Sequence, residues 1–298
     1  MNKVNKVKRY RTLPDLIFKG IIWVFLVTLM LAIAIPVMHV IAASFSGVDA
    51  VKTGRVFIWP VDFTLKSYEM VFKTSTLVQS LLNSIGYTVG SVILSVTLTL
   101  LAGYPLSRKD LKIRSYVMVL YTFTMFFGGG MIPTYIVVNK LGLIDTYWAM
   151  IVPGAVGVWN VILVKTFIQT SIPQEIFESA SMDGCSDWKY FLSMVIPLAK
   201  PIIAVMVLLF AVGKWNDFMS GLMYINTPEK QTFQYVLRNI LIINDGSILT
   251  LAEEIKQQET KDLLKYSLII VSTIPVLLLY PFIQKHFVKG ILMGSIKG

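Results

Sequence analysis

A short polar stretch, Phe177–Pro201, interrupts an otherwise apolar chain and holds side chains that could make charged contacts. Glu178, Asp183 and the turn-forming residue Gly184 lie close together in it. A carboxylate at a protein surface can form a strong hydrogen bond with a basic or amide group of another protein. This chemistry indicates recognition of a partner. The alternative is a connector at the membrane surface that has no partner.

The sequence carries no recognisable set of residues for bond-breaking chemistry. Gly213-Lys214 is the only Gly-Lys pair, but Trp215 follows it and Leu208 stands where a Walker A loop needs glycine. One cysteine and two distant histidines argue against a metal cluster or a disulfide framework. We also find no plausible catalytic triad or carboxylate pair. We therefore expect a chain that is not an enzyme and binds no cofactor of its own.

Local signals in the polar stretch predict two helices joined by a glycine turn. Residues 171–174 match the S-x-x-Q capping box, with proline in the first turn, which predicts a helix over about 174–183. Gly184 then supplies the left-handed residue that ends many helices. Ser186 can cap a second helix, whose aromatic residues would return to the membrane surface.

The elements around this stretch are apolar enough to cross a membrane. Of the 298 residues, 55% are hydrophobic and 15% are charged, against about 25% charged in soluble domains. Helices of about 20 apolar residues span a bilayer. We expect an all-α membrane protein whose transmembrane region, residues 16–284, contains six helices. These cover about 16–43, 77–106, 116–138, 147–168, 190–213 and 263–283.

Two of these predicted spans need comment. The apolar core of the first is longer than the 7–15 residues of a signal-peptide core, so we expect a retained span. The third is interrupted by Gly128–Gly130 and by Pro133. These residues predict either a broken helix or close packing between helices.

The placement of lysine and arginine predicts the orientation. The side that holds the N-terminus carries 16 basic and 6 acidic residues, whereas the other side carries 11 of each. We therefore assign the terminal segments, 1–15 and 285–298, and the polar loop 171–189 to the cytoplasm. Loops 44–76 and 215–262 would be external. This distribution accounts for the net charge of +10 without any nucleic acid.

The polar loop resembles a known family. Glu178-Ser179-Ala180, Gly184 and the Pro197 that follows Met194-Val-Ile reproduce the spacing of the E-A-A-x3-G-x9-I-x-L-P loop. That loop is typical of permease subunits of bacterial ABC importers. Serine for alanine, methionine for isoleucine and isoleucine for leucine are small or volume-conserving departures.

The flanking sequence is similar to the carbohydrate-uptake, maltose-permease-like branch. The residues around Trp188 and the W-N-D-F at Trp215–Phe218 resemble segments of sugar permeases. Gly128–Ala155 resembles permeases that import oligosaccharides from complex polysaccharides, such as pectin fragments, alginate or host glycans. Two alternatives stay open: a permease for a non-sugar solute, and a self-contained channel or secondary transporter, which would need no such loop.

The resemblance implies the permease fold of type I ABC importers in a bacterial cytoplasmic membrane. It implies a second homologous permease subunit, two ATPase subunits that bind ATP and Mg²⁺, and an extracellular or periplasmic sugar-binding protein that delivers the oligosaccharide. The loop would be the coupling helix, through which ATP hydrolysis changes the accessibility of the translocation pathway. The residues implicated in this coupling are Glu178, Ser179, Ala180, Asp183, Gly184 and Pro197.

Substrate contacts are expected from polar and aromatic side chains at membrane depth. Sugars combine hydroxyl groups with apolar ring faces that stack on aromatic rings. The candidates are Asn83, Tyr121, Tyr135, Trp159, Asn160, Trp215, Asn216 and Asp217. Packing or placement at the membrane interface is the alternative for each. The external segment Ala252–Glu259 would either meet the binding protein or form a solvated amphipathic helix.

Overall fold

The computed structural model describes residues 13–241 and 261–294, and within them every regular element is helical. A π-helical turn, Phe191–Val195, and a 3-10 turn, Pro228–Lys230, interrupt the series of α-helices. The α-helices are α1 Leu13–Ser44, α2 Val48–Lys52, α3 Lys66–Lys73, α4 Ser75–Ser107, α5 Arg114–Phe126, α6 Met131–Lys140, α7 Tyr147–Ile151, α8 Val158–Ser171, α9 Gln174–Met182, α10 Asp187–Tyr190, α11 Ile196–Leu198, α12 Lys200–Trp215, α13 Phe218–Tyr224, α14 Phe233–Leu241 and α15 Lys261–Gly294.

The described residues form two compact units, 13–70 with 261–270 and 71–241 with 271–294. In the first unit, nearly all of α1 is apolar and exposed, and only its last residues, Ala42–Ser44, are buried. There the Ser67 hydroxyl donates to the Ser44 carbonyl oxygen at 3.1 Å, and the Tyr68 hydroxyl donates to Ser44 Oγ at 2.8 Å. The exposed apolar length of α1 suits a lipid or protein surface.

In the second unit, α4 is the helix on which the others pack. Its buried face carries small residues at helical spacing: Ser80, Ser84, Ser91, Ser95, Thr99, Gly103 and Ser107. A β-carbon at Gly103 would lie 2.7 Å from Val164 Cγ1 of α8, so only glycine permits this approach. Small side chains let helix backbones come close together, which favours association of helices in a membrane.

A hydrophobic core joins α4, α8 and α12 to the polar loop. Its fully or nearly buried members include Val164, Met206 and Val195 from the helices, and Ala180 and Tyr190 from the loop. The polar loop is therefore packed against the helices through its apolar face and is part of their core.

Some predicted spans are single helices and others are not. The ranges 16–43 and 77–106 lie within α1 and α4. The prediction of one helix over 147–168 is wrong, because α7 and α8 are separated by residues 152–157, which include Pro153 and a left-handed Gly154. The predicted span 190–213 is bent: the segments on either side of Ala199, between Pro197 and Pro201, meet at 78°.

The third predicted span is broken at its glycines. Helices α5 and α6 meet there at an angle of 111°, and Gly130 is left-handed with φ +82°. A β-carbon added at Gly128 or Gly130 would meet no atom within 4 Å. The structure thus shows a broken helix at these glycines, and within the described residues no side chain packs against Gly128 or Gly130.

The number of membrane crossings follows only partly from helix length. Among the described residues, α1 and α4 are long and apolar enough to span a bilayer, and each of the two bent helix pairs could supply one more crossing. The predicted range 263–283 lies within α15, whose apolar part, Leu264–Leu279, is shorter. Six spans and cytoplasmic termini stay predictions.

A single carboxylate, that of Asp145, connects two distant loops of the second unit. It accepts hydrogen bonds from the backbone N–H groups of Asn226 and Thr227 at 3.1 and 3.0 Å, and from the Thr227 hydroxyl. Lys230 Nζ donates at 3.1 Å to Asp145 Oδ2, the oxygen that also accepts from the Thr227 hydroxyl. These donors, that hydroxyl first, hold the pKa of Asp145 well below its usual value. The loop before α7 is thereby fastened to the loop before α14.

Candidate functional site

The polar loop folds into the helical hairpin that its capping signals predict. Helix α9 covers Gln174–Met182, and Asp183 is its C-terminal cap. Gly184 is left-handed, with φ +71°, and reverses the chain. Ser186 Oγ then accepts from the backbone N–H of Lys189 at 3.4 Å and caps α10. The predicted helix, glycine turn and second cap are confirmed.

The predicted capping box at the start of α9 is wrong. Ser171 ends helix α8, and Pro173, in an extended conformation, is the N-cap of α9 without a side-chain hydrogen bond. Gln174 instead donates from Nε2 to Glu178 Oε1 at 2.9 Å, one helical turn further on. Proline takes the boundary position because an extended residue must separate two helices that change direction there.

The outer face of the hairpin is exposed and acidic. Glu178, Ser179 and Asp183 are all exposed, and Met182 is 83% exposed at the tip of α9. Residues 173–190 contain four acidic residues and one basic residue. Acidic side chains and the Met182 side chain are thus accessible to solvent on the same face of the hairpin.

Ala180 is buried, unlike the neighbouring coupling candidates Glu178 and Ser179 on the same helix. It is 7% exposed and belongs to the hydrophobic core of the second unit. Its small size therefore lets α9 lie close to the other helices of its own chain. Pro197 is exposed in α11, after the π-helical turn that returns the chain toward α12.

Arg108, just after α4, fastens the hairpin to the helices. Its guanidinium carbon lies 3.2 Å from the centre of the Phe177 ring of α9, and NH1 is 3.6 Å from Asp187 Oδ1 of α10. Nε and NH2 each donate to Asp110 at 2.8 Å. These hydrogen bonds lower the pKa of Asp110. An arginine that stacks on a ring and donates two hydrogen bonds to one carboxylate is held more rigidly than a lysine would be.

Aromatic rings complete this attachment. The Tyr104 ring lies 5.0 Å from the Phe191 ring, and the Phe177 ring meets the Tyr190 ring edge-on at 5.2 Å. Trp188 is 61% exposed and lies 5.6 Å from Phe191. Sequence reasoning grouped Arg108 with topology-setting charges and did not identify it as an anchor. The signal available was its position directly after a long apolar helix, but its partners in the hairpin, Phe177 and Asp187, lie about 70 or more residues away in the sequence.

Several predicted pathway residues have structural partners. Asn83 Nδ2 donates to the Glu229 carbonyl oxygen at 2.7 Å and ties α4 to the loop before α14. Trp215 is 4% exposed, and its Nε1 donates to the Ser272 carbonyl oxygen of α15 at 2.8 Å. The Tyr135 ring stacks on the Tyr224 ring at 6.3 Å.

The other candidates are spread over separate places. Trp159 is 60% exposed near the start of α8, and Asn160 is half-buried beside it. Asn216 donates to the Val212 carbonyl oxygen of its own helix at 3.0 Å, and Tyr121 is half-buried on α5. The predicted pathway residues therefore do not form one cluster.

Asp217 alone of these candidates lines a cavity of about 400 Å³. The cavity lies between α4, α6, α12 and α13. Its polar lining includes Ser91, Ser95, Thr134, Lys214 and Ser220 together with Asp217. Asp217 also caps α13, since its Oδ1 accepts from the Ser220 N–H at 3.0 Å. The segment Ala252–Glu259 lies outside the described residues.

Comparison with known proteins gives relatives over nearly the whole chain. A polygalacturonan/rhamnogalacturonan transport system permease protein of Bacillus subtilis, YtcP, is 43% identical over 95% of this chain and 99% of its own length. The protein LplC of the same organism is 42% identical over 89% of both chains.

A solved structure has the same fold. One chain of a bacterial ABC transporter involved in the import of the acidic polysaccharide alginate matches with a TM-score of 0.86 and 30% identity. The match covers 93% of this chain and 98% of the other. The family model for binding-protein-dependent transport system inner membrane components matches residues 95–293, which include the whole hairpin and the cavity lining apart from Ser91. The chain therefore belongs to the family of inner membrane components of binding-protein-dependent ABC transport systems.

Proposed function

We propose that this chain is one of the two permease subunits of an ATP-driven importer for oligosaccharides. It would form half of the translocation pathway in a bacterial cytoplasmic membrane, crossing it six times with both termini inside. A second homologous permease would form the other half, and an extracellular binding protein would deliver the sugar. Similarity to a polygalacturonan/rhamnogalacturonan permease and to an alginate importer supports the sugar class.

The observation that carries this proposal is the exposed acidic hairpin on an apolar, helical core. Helix α9 would be the coupling helix, inserted into a cleft of an ATPase subunit that binds ATP and Mg²⁺. Glu178 would pair with a basic or amide group in that cleft. Because the hairpin is packed into the core through Ala180 and Arg108, a push on α9 is transmitted to α4, α8 and α12.

The exposed apolar length of α1 supports contact with lipid or with the second permease. A self-contained channel or secondary transporter would have no use for an acidic docking hairpin of this kind. A permease for a non-sugar solute would share the hairpin, and only the identity of the transported molecule distinguishes it.

Charge reversal at the docking face tests the coupling role. In the reconstituted complex, Glu178→Lys should abolish the stimulation of ATP hydrolysis by sugar-loaded binding protein, because the acidic partner of the cleft is lost. The variant should still insert and bind its partner permease. The measurement is ATP turnover with and without loaded binding protein. Normal stimulation in Glu178→Lys would exclude this docking role.

The turn at Gly184 offers a matched pair of variants. An alanine is strained at φ +71° by about 1–2 kcal/mol, although no atom obstructs its β-carbon. Gly142 has φ +67°, is equally unobstructed, and lies after α6. Gly184→Ala should reduce the stimulation several-fold, whereas Gly142→Ala should lower thermal stability without reducing stimulation. Equal effects of the two substitutions on stimulation would contradict a special role for the hairpin.

A further inference from the structure

The cavity beside α12 lies at a depth where a permeating molecule would pass. Ser91 and Ser95 line it from the middle of α4, which covers Ser75–Ser107. A helix of this length rises about 50 Å, more than the roughly 30 Å of hydrocarbon, so its middle is expected near the bilayer centre. The volume of about 400 Å³ is within the range of small-molecule sites, about 300–1,000 Å³.

A buried ammonium group lines this cavity. The Lys214 side chain is 10% exposed, and its Nζ donates to Asp217 Oδ2 at 2.9 Å. The second oxygen of Asp217 accepts from the Ser220 N–H at 3.0 Å, so both carboxylate oxygens have donors. An ammonium has three N–H donors, and Asp217 accounts for one. Among residues 13–241 and 261–294, Lys214 Nζ donates to Asp217 alone, so its two other N–H groups can donate to a ligand.

A buried hydroxyl in the same cavity lacks a partner. Ser95 is 1% exposed, and its Oγ has no hydrogen bond among the described residues. Buried polar atoms in proteins are nearly always hydrogen-bonded, so an unsatisfied one needs an explanation. Its Oγ is closed off from the cavity, so the ammonium of Lys214 is the polar group beside it that a ligand can reach.

We propose that Lys214 binds the carboxylate of an acidic sugar residue as the oligosaccharide crosses the membrane. The substrate class is thus an oligosaccharide that contains uronate, and this inference rests on the proposed function. An ionisable residue at membrane depth is expensive and commonly marks a pathway. Similarity to an importer of an acidic polysaccharide is consistent with an anionic substrate.

The competing explanation gives the pair a structural role only. Asp217 caps α13, and Lys214 would merely neutralise it. The two explanations predict different effects on transport when the charge of Lys214 or that of Asp217 is removed. If Lys214 binds substrate, its own loss should be far more harmful than the loss of the Asp217 charge. If the ion pair is structural, the two losses should be equally harmful.

Uptake of trigalacturonate by proteoliposomes tests this directly, with the complete transporter, its binding protein and internal ATP. Lys214→Gln should reduce uptake about tenfold, as expected for the loss of one charge-assisted hydrogen bond. Lys214→Arg should restore most of it. Asp217→Asn, which keeps an oxygen to cap α13, should lose much less uptake than Lys214→Gln. Lys140→Gln, at an exposed lysine at the end of α6, is the control and should leave uptake unchanged.

Wild-type uptake with Lys214→Gln, or equal losses with Lys214→Gln and Asp217→Asn, would overturn the inference. The inference would also be overturned if the wild-type transporter took up a neutral oligosaccharide such as maltotriose but no trigalacturonate. That result would leave the permease function standing. Absence of ATP-dependent uptake of either sugar by the wild type would instead count against the proposed function itself.

Discussion

Single residues explain why the hairpin has its shape. Gly184 and Ser186 were predictable from sequence because a left-handed turn and an N-cap depend on near neighbours in the chain. The role of Ser171 was not, because whether α8 continues to that residue depends on packing of the whole helix. The burial of Ala180 was missed for the same reason, since its neighbours in the core come from distant helices.

Asp145 gives a prediction about pH. Its pKa is lowered in the folded chain, so its contribution to stability is present above the unfolded-state pKa of about 3.9 and is lost as the pH falls below it. Asp145→Asn should lower the midpoint of thermal unfolding at pH 7. The difference from the wild type should hold to about pH 5 and shrink below about pH 4. Unfolding of both proteins in detergent at pH 7, 5 and 3.5 measures this.

A comparison variant separates this effect from a general loss of charge. Asp49→Asn removes an exposed carboxylate from the first turn of α2 and should change the midpoint little at pH 7. A difference between Asp145→Asn and the wild type that persists undiminished at pH 3.5 would show that the hydrogen-bonded carboxylate is not its source.

At the scale of elements, the hairpin is useful for coupling only if it moves together with the helices behind it. Arg108 joins the end of α4 to both helices of the hairpin, through Phe177 on α9 and Asp187 on α10. The surface ion pair with Asp187 contributes little by itself, about 0–1 kcal/mol. The stacking on Phe177 and the bidentate pair with Asp110 fix the direction of the guanidinium.

We therefore predict that replacing Arg108 uncouples ATP hydrolysis from the loaded binding protein. Arg108→Gln should leave basal ATP hydrolysis in place and reduce stimulation by loaded binding protein several-fold, because α9 can then move without α4. Arg108→Lys should recover only part of the effect, since an ammonium cannot stack and pair at once. Turnover in the reconstituted complex is the measurement. Arg55→Gln, at an exposed arginine of the first unit, is the control. Full stimulation with Arg108→Gln would contradict the anchoring role.

The elements show where sequence prediction stopped. Long apolar runs located α1 and α4, because a continuous hydrophobic segment is a strong and local signal. The break between α7 and α8 was missed, although Pro153 stands in it. Proline permits a break without requiring one, since neighbouring helices can satisfy the freed backbone groups in a membrane. Tertiary packing decides between the two outcomes.

At the scale of the molecule, the small residues of α4 allow neighbouring helices to pack closely. Gly103 against Val164 shows how closely α4 and α8 approach. The hairpin was predictable because its motif is contiguous in sequence. The cavity was not, because Ser95 and Lys214 are far apart in the chain and meet only in the folded protein.

The central claim is that this chain conducts an oligosaccharide only when an ATPase drives it. Uptake of labelled oligosaccharide into proteoliposomes that contain the complete transporter, with and without internal ATP, tests the claim most directly. The account predicts accumulation that requires both ATP and the binding protein, and that falls to background when ATP is omitted. Uptake that continues at an equal rate without ATP would contradict the account and would favour a channel.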